Sequence, residues 1–271
     1  MSTQSLGSGH EGTLRDQIGA YLQRLRNGEM GALPAVVALI LLGVLFSTLS
    51  PYFLTKLNIA NLFVQTAELA VLAIALVFVL LLAEIDLSAG VTAGVGLSIF
   101  VILNQRLGVD PILALILSLA VGAVVGFLIG FFVAKIGVPS FVVTLGFFLA
   151  FQGVQLILLG DGGIFRVDVP FIKSLMNDNM PIWAGWAVLV IMIALSAWLS
   201  LWDRSRRSRS GLVNRPISLM YLKLGAIAIL GGATVFILNE NRSVSIVAIS
   251  GVPIVIPVVL GILFVGTFVL D

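Results

Sequence analysis

From Pro34 to Leu270 the chain is a succession of long apolar runs, and nearly every charge falls in the connections between them. Runs of this length point to lipid, because about 20 apolar residues are enough to cross about 30 Å of hydrocarbon. Hydrocarbon offers a peptide group no hydrogen-bond partner, so each run must be a helix or a strand of a closed barrel. Barrel strands alternate apolar and polar residues. These runs do not, which predicts an all-α membrane protein, a polytopic helix bundle. Composition agrees: 59% of residues are hydrophobic and 10% charged, against about 25% charged in a typical soluble domain.

Eight segments come close to spanning length: Pro34–Leu49, Glu68–Ala83, Ser88–Leu103, Pro111–Val133, Ser140–Leu159, Ile182–Trp202, Ile217–Leu238 and Pro253–Leu270. The second and third are short and separated only by Glu84-Ile85-Asp86-Leu87, so they are the expected broken or partial spans. The first run begins only near Pro34 and lacks a small-residue cleavage site, so it reads as a retained span rather than a signal peptide. Residues 1–33 read as a cytoplasmic tail, Ser/Gly-rich and disordered over 1–10. From Thr13 to Arg26, Leu14, Ile18, Leu22 and Leu25 fall on one stripe after a capping-box-like Thr13…Asp16 start. That pattern suits an amphipathic helix lying on the membrane or against a partner.

Arginines cluster at Arg15, Arg24 and Arg26 and again from Arg204 to Arg215. Each cluster flanks an apolar run, which fits the positive-inside rule better than nucleic-acid binding. With the N-terminus in the cytoplasm, alternation places the basic connector after the sixth span inside, along with Lys135 and the chain end. The mixed-charge loop 160–181 and Asn239-Glu240-Asn241-Arg242 fall outside. Trp183, Trp186, Trp198 and Trp202 mark the two ends of the sixth span as interfacial anchors. Gly122, Gly126 and Gly130 recur every fourth residue in the fourth span, a helix-packing face.

Catalytic chemistry has little to work with. There is no Cys, the one His is His10 in the tail, and no G-x-x-x-x-G-K phosphate loop occurs. The chain calls for no metal and no cofactor. Polar groups at membrane depth are costly and point to function. Gln65 and Glu68 open the second span; Glu84 and Asp86 sit at its junction with the third. Asp86-Leu87-Ser88 before Gly90 reads as a helix N-terminus, where a carboxylate and a hydroxyl cap free N–H groups. The same break suits a polar, water-filled path. In the fifth span Thr144 is able to bond a carbonyl of its own helix. Gln152 has no such local partner, so a polar cavity or an interhelical bond is expected for it.

Ala83-Glu84-Ile85-Asp86-Leu87-Ser88-Ala89-Gly90, Val138-Pro139-Ser140-Phe141-Val142-Val143-Thr144-Leu145-Gly146 and Leu149-Ala150-Phe151-Gln152-Gly153 resemble the permease subunits of bacterial ABC importers for monosaccharides. The ribose/xylose branch, and within it the xylose type, is most similar. The resemblance covers roughly residues 34–271, which then form the transmembrane permease domain. It implies translocation of xylose or a similar pentose by alternating access through the bacterial inner membrane. It implies, as partners, separate ATP-binding subunits that hydrolyse the ATP, a periplasmic sugar-binding protein and a second permease subunit, as a homodimer. The expected substrate path is Gln65, Glu84, Asp86, Ser88, Thr144 and Gln152, with Asp86 holding the helix break. Such permeases have about ten spans and a cytoplasmic coupling segment with a Glu-Ala-Ala-like pattern. No such run precedes Asp271, so the permease domain is expected to be incomplete at its C-terminus. Two other classes stand beside this one: an ion-coupled secondary sugar transporter, for which no inverted repeat is found, and a degenerate subunit that transports nothing. For the topology, a Cys placed at Ser208 of this Cys-free chain is expected to resist a membrane-impermeant maleimide in intact cells and to label after lysis. Labelling from the periplasm would invert the reading.

Overall fold

The computed structural model describes residues 19, 23, 25–28, 30–160, 165, 167–211, 216–243 and 246–270. Most of the stretch expected to form an amphipathic helix, Thr13–Arg26, lies outside the described residues. Among the described residues nine helices are complete: α1 Leu33–Leu49, α2 Lys56–Leu81, α3 Ala89–Val101, α4 Pro111–Phe131, α5 Ser140–Leu159, α6 Pro170–Asn177, α7 Ile182–Arg209, α8 Ile217–Asn239 and α9 Val255–Leu270. Wider π turns, Ile102–Arg106 and Phe132–Ile136, extend α3 and α4. Among the described residues five segments (α2, α4 with its π turn, α5, α7 and α8) are long and apolar enough to cross a membrane, and α1 and α9 are shorter apolar helices.

Two expectations change. The second span is not partial: α2 has 26 residues, about 39 Å at 1.5 Å per residue. It starts twelve residues before Glu68 because Lys56, Asn58, Asn61 and Gln65 dilute the hydropathy without breaking the helix. Asn58 donates its side-chain amide to the Phe53 carbonyl, 2.7 Å away, at that end. Only α3 is short. The stretch 160–181, expected as a loop, contains helix α6. Pro170 occupies its first turn, where a missing N–H costs nothing.

The chain forms two compact units, residues 1–62 with 179–252 and residues 63–178 with 253–271. In the first unit α7 and α8 pack as a pair. Small residues allow this: a Cβ on Gly231 would collide with Leu189, and one on Gly185 with Val252. The loop after α8 is stitched down by its own backbone. Arg242 N–H donates to the Ile249 carbonyl, Gly251 N–H to Leu238 and Met180 N–H to Val252. Gly251 has φ +96°, and a Cβ there would strike the Met180 carbonyl. The Arg242 guanidinium is buried, donating to the Leu238 carbonyl and the Asn179 side chain. Desolvation pushes its pKa below the usual arginine value. Lys56 pairs with Glu240 nearby.

In the second unit α3 packs on both α4 and α5. Phe100, Val101, Ala114 and Val169 form one buried cluster; Ala67, Val255 and Val259 form another, which joins α9 to α2. α6 serves both, through Ile172 in the first and Met176 in the second. Outside these clusters apolar side chains are widely exposed: Leu39 71%, Phe127 71% and Ile157 82%. In water such surface is a liability, but against lipid it has no cost. Gly231→Val is expected to destabilise the α7–α8 pair by about 1–3 kcal/mol, because overpacking forces a closely packed contact apart. Thermal unfolding of the purified protein checks this; an unchanged midpoint would contradict the packing.

Candidate functional site

The site grows from the interruption between α2 and α3. α2 ends in a Schellman turn: Glu84 N–H reaches the Val79 carbonyl and Ala83 N–H the Leu80 carbonyl. Ala83 occupies the left-handed position, with φ 58°, where glycine is usual and a Cβ costs about 1 kcal/mol. The next residues are not helical, so their peptide groups need partners from elsewhere. The first turn of α5 supplies them. The Ser140 hydroxyl accepts the Ile85 N–H at 3.2 Å, and the Thr144 hydroxyl lies 3.3 Å from the Ile85 carbonyl. Thr144 also bonds the Ser140 carbonyl of its own helix at 2.8 Å, so the local and the cross-segment roles coexist.

Asp86 then organises the restart. One carboxylate oxygen accepts both the Ser88 N–H and the Ser88 hydroxyl, each at 2.7 Å. Ser88 is the residue before α3, fully buried, and its side chain makes no capping bond into the helix. The expected cap is thus an Asx turn one step upstream: Asp86 holds Ser88 rather than the first N–H groups of α3. Glu84 is half-buried at the same break. Further along, the Gln155 amide donates to the Val91 carbonyl at 2.8 Å. Gly94 makes room for it, since a Cβ there would collide with Gln155.

Beside this break lies a cavity of about 580 Å³, within the 300–1,000 Å³ usual for small-ligand sites. α3 and α4 form its walls, Leu72 and Ala75 of α2 contribute, Asp86 lines it, and Val167 and Ile172 lie on it with Phe100. Its surface is mostly apolar, and its polar groups are Asp86, Thr92 and Ser118. Ser118 returns its hydroxyl to the Leu115 carbonyl at 2.8 Å. The Thr92 hydroxyl is buried and has no hydrogen-bond partner among the described residues. A buried hydroxyl left unbonded costs about 1–3 kcal/mol, and water or a polar ligand group offsets that cost.

Of the residues singled out from sequence, the structure brings Glu84, Asp86, Ser88 and Thr144 together. It does not bring Gln65 or Gln152 to them: both are exposed, on α2 and α5. The interhelical bond expected of Gln152 belongs to Gln155, one turn on. The glycine stripe also has a different setting. A Cβ on Gly122, Gly126 or Gly130 would meet nothing within 4 Å, so no helix among the described residues packs closely against them. Gly122 and Gly126 instead form part of the cavity wall. Thr92 and Gln155 were missed because a single Thr or Gln in a helix gives no pattern; only the neighbouring helices distinguish them from surface residues.

Substitutions at two positions test the break. Thr144→Val keeps the shape but removes the hydroxyl and is expected to cost about 1–3 kcal/mol, whereas Thr144→Ser is neutral to within half that. Ala83→Gly is expected to raise stability by about 0.5–1 kcal/mol. Thermal melts of the three variants check both; equal melts for Thr144→Val and Thr144→Ser would remove Thr144 from this role.

Comparison with known proteins places this architecture. Residues 58–219 match the family described as branched-chain amino acid transport system / permease component. Over 212 residues the chain is 30% identical to the xylose transport system permease protein of Escherichia coli (strain K12), covering 77% of this chain and 53% of that protein. It is 41% identical over 132 residues to the ribose import permease protein of Bacillus subtilis (strain 168), covering 48% of this chain and 40% of that one. It is 31% identical over 173 residues to the D-allose transport system permease protein of Escherichia coli (strain K12), covering 61% and 51%. The chain spans about half the length of the curated relatives it matches. No solved structure matches it. The helices carrying the α2–α3 break and its cavity lie inside the matched region, and the chain belongs to this family of multi-pass membrane transport permeases.

Proposed function

We propose that this chain is a translocation subunit for a monosaccharide, xylose or a similar pentose, in an ATP-driven importer of the bacterial inner membrane. The observation that carries the reading is the broken α2–α3 junction with a ligand-sized cavity beside it. Asp86 and Thr92, whose buried hydroxyl is unbonded among the described residues, line that cavity, in a chain similar to xylose, ribose and allose permeases. Non-helical backbone at membrane depth is tolerated where it lines a cavity. Sugar hydroxyls are both donors and acceptors. Asp86 accepts, Thr92 does both, and the bare backbone at Gly96, Gly122 and Gly126 lets a ring approach the cavity wall closely.

So few polar groups suit a weak and transient site. A transport subunit gains from weak binding, since a tightly held sugar is released slowly. On this reading a separate sugar-binding protein captures the substrate outside. Separate ATP-binding subunits hydrolyse ATP in the cytoplasm, and a second copy of the permease completes the path. The N-terminus is cytoplasmic. Asp86 holds the restart of α3, and rearrangement of that break alternates access.

The test is uptake of labelled xylose into proteoliposomes containing the chain with its ATP-binding and sugar-binding proteins. Uptake is expected to require ATP and the binding protein. Asp86→Ala is expected to lower the initial rate at least tenfold, equivalent to about 1.4 kcal/mol, with the protein still inserted and folded. Uptake driven by an ion gradient alone would favour a secondary transporter and overturn the proposal.

A further inference from the structure

α7 is longer than a membrane crossing requires. Ile182 to Trp202 alone spans about 30 Å at 1.5 Å per residue, the thickness of the hydrocarbon layer. The helix continues for two more turns to Arg209, through Asp203, Arg204, Arg206 and Arg207. One face of this extension is distinctive. At about 100° per residue, Ile191, Trp198, Trp202, Arg206 and Arg209 fall within about 80° of one another. All five are exposed. Leu189, which packs on α8 through Gly231, lies about 180° away from Trp198. This stripe therefore faces away from α8.

The side chains along it are arranged in order of depth. The Trp198 and Trp202 rings stack, 5.9 Å apart and within 2° of parallel. The Arg206 guanidinium lies over the Trp202 ring, 5.0 Å from its centroid. That contact holds the cation in place through its face and leaves the in-plane N–H donors free for an oxygen acceptor. Arg209 follows one turn later and has no ion-pair partner among the described residues. The local acid, Asp203, lies beside the stripe, about 60° round the helix from Arg206 and about 120° from Arg209, and is turned to Arg207, which it bonds at 3.1 Å. The stripe thus passes from aliphatic to aromatic to cationic within about 27 Å, with no acidic side chain on it.

We propose that this stripe binds an anionic phospholipid. Its acyl chains lie along Ile191 and Trp198, its glycerol region against Trp202, and its phosphate between Arg206 and Arg209. Charge complementarity selects the headgroup, and the exposed apolar and aromatic residues at hydrocarbon depth select a lipid. A cytosolic protein would meet the arginines but would not reach Ile191 and Trp198. The proposal goes beyond the transport reading and holds whatever substrate is carried.

The experiment is native mass spectrometry of the full chain in detergent, titrated with phosphatidylglycerol or phosphatidylcholine. Wild type is expected to retain phosphatidylglycerol preferentially. The double variant Arg206→Gln, Arg209→Gln is expected to bind it roughly 30-fold more weakly, at about tenfold or less per arginine near a membrane surface. Binding of phosphatidylcholine is expected to be unchanged. Arg207→Gln, on the opposite face, is expected to keep the preference, and helix content by circular dichroism shows that each variant is folded. Four results would overturn the proposal. One is equal phosphatidylglycerol binding by wild type and the double variant. Another is an equal loss in Arg207→Gln, which would mean diffuse charge only. A third is displacement of the lipid by millimolar inorganic phosphate, which would mean a soluble-anion site. The last is a double variant that changes dimer content while its lipid binding is intact, which would mean that a second copy covers the stripe.

Discussion

A peptide group in hydrocarbon has no water to fall back on, and the rest of this structure answers to that constraint. Where a helix continues, its own ladder satisfies the backbone. Where it stops, other residues must do so. At the α2–α3 break the Ser140 and Thr144 hydroxyls serve the two polar groups of Ile85. At the start of α4 the Asp110 carboxylate accepts the Ile112 and Leu113 N–H groups. At the end of α5 the Arg106 guanidinium meets the carbonyls of Leu158 and Leu159. Each polar side chain in these places is present because a nearby backbone group lacks a partner.

That constraint makes the break informative about function. Interrupting a helix within the apolar stretch is expensive unless something is gained. Here the interruption coincides with a cavity, a carboxylate on its lining and an unbonded Thr92 hydroxyl. Gly94 and the glycines of α4 play opposite parts around it. Gly94 allows Gln155 to approach and bind the Val91 carbonyl, which closes one side of α3. Gly122 and Gly126 leave space open on the other side. The same residue type therefore packs a helix in one place and bounds a void in another, and the difference lies in which neighbour faces it.

Much of this was legible in the order of residues. Long apolar runs without alternation dictate helices, because lipid rejects every other open structure. The Glu84–Asp86 break was visible because charges inside an apolar tract are rare and costly. Its Asx turn is not legible there, since a carboxylate two residues before a helix has several N–H groups within reach. Hydropathy alone makes α2 too short, because it discounts Asn58, Asn61 and Gln65, which a helix end at the interface tolerates. Gln152 and Gln155 are three residues apart on one helix, and nothing along the chain says which one meets α3.

What the sequence by itself determined is the kind of protein: a helical membrane protein with a polar break after its second span. The physics behind that is transfer of peptide groups and charges from water to hydrocarbon, a property of each segment on its own. What only the tertiary structure decided is which polar side chain meets which orphaned backbone group. It also decided whether a glycine stripe packs or leaves a cavity, and which face of α7 carries its tryptophans and arginines away from α8. Those outcomes depend on how helices far apart in sequence are rotated against one another, and a spacing along a single helix does not contain that rotation.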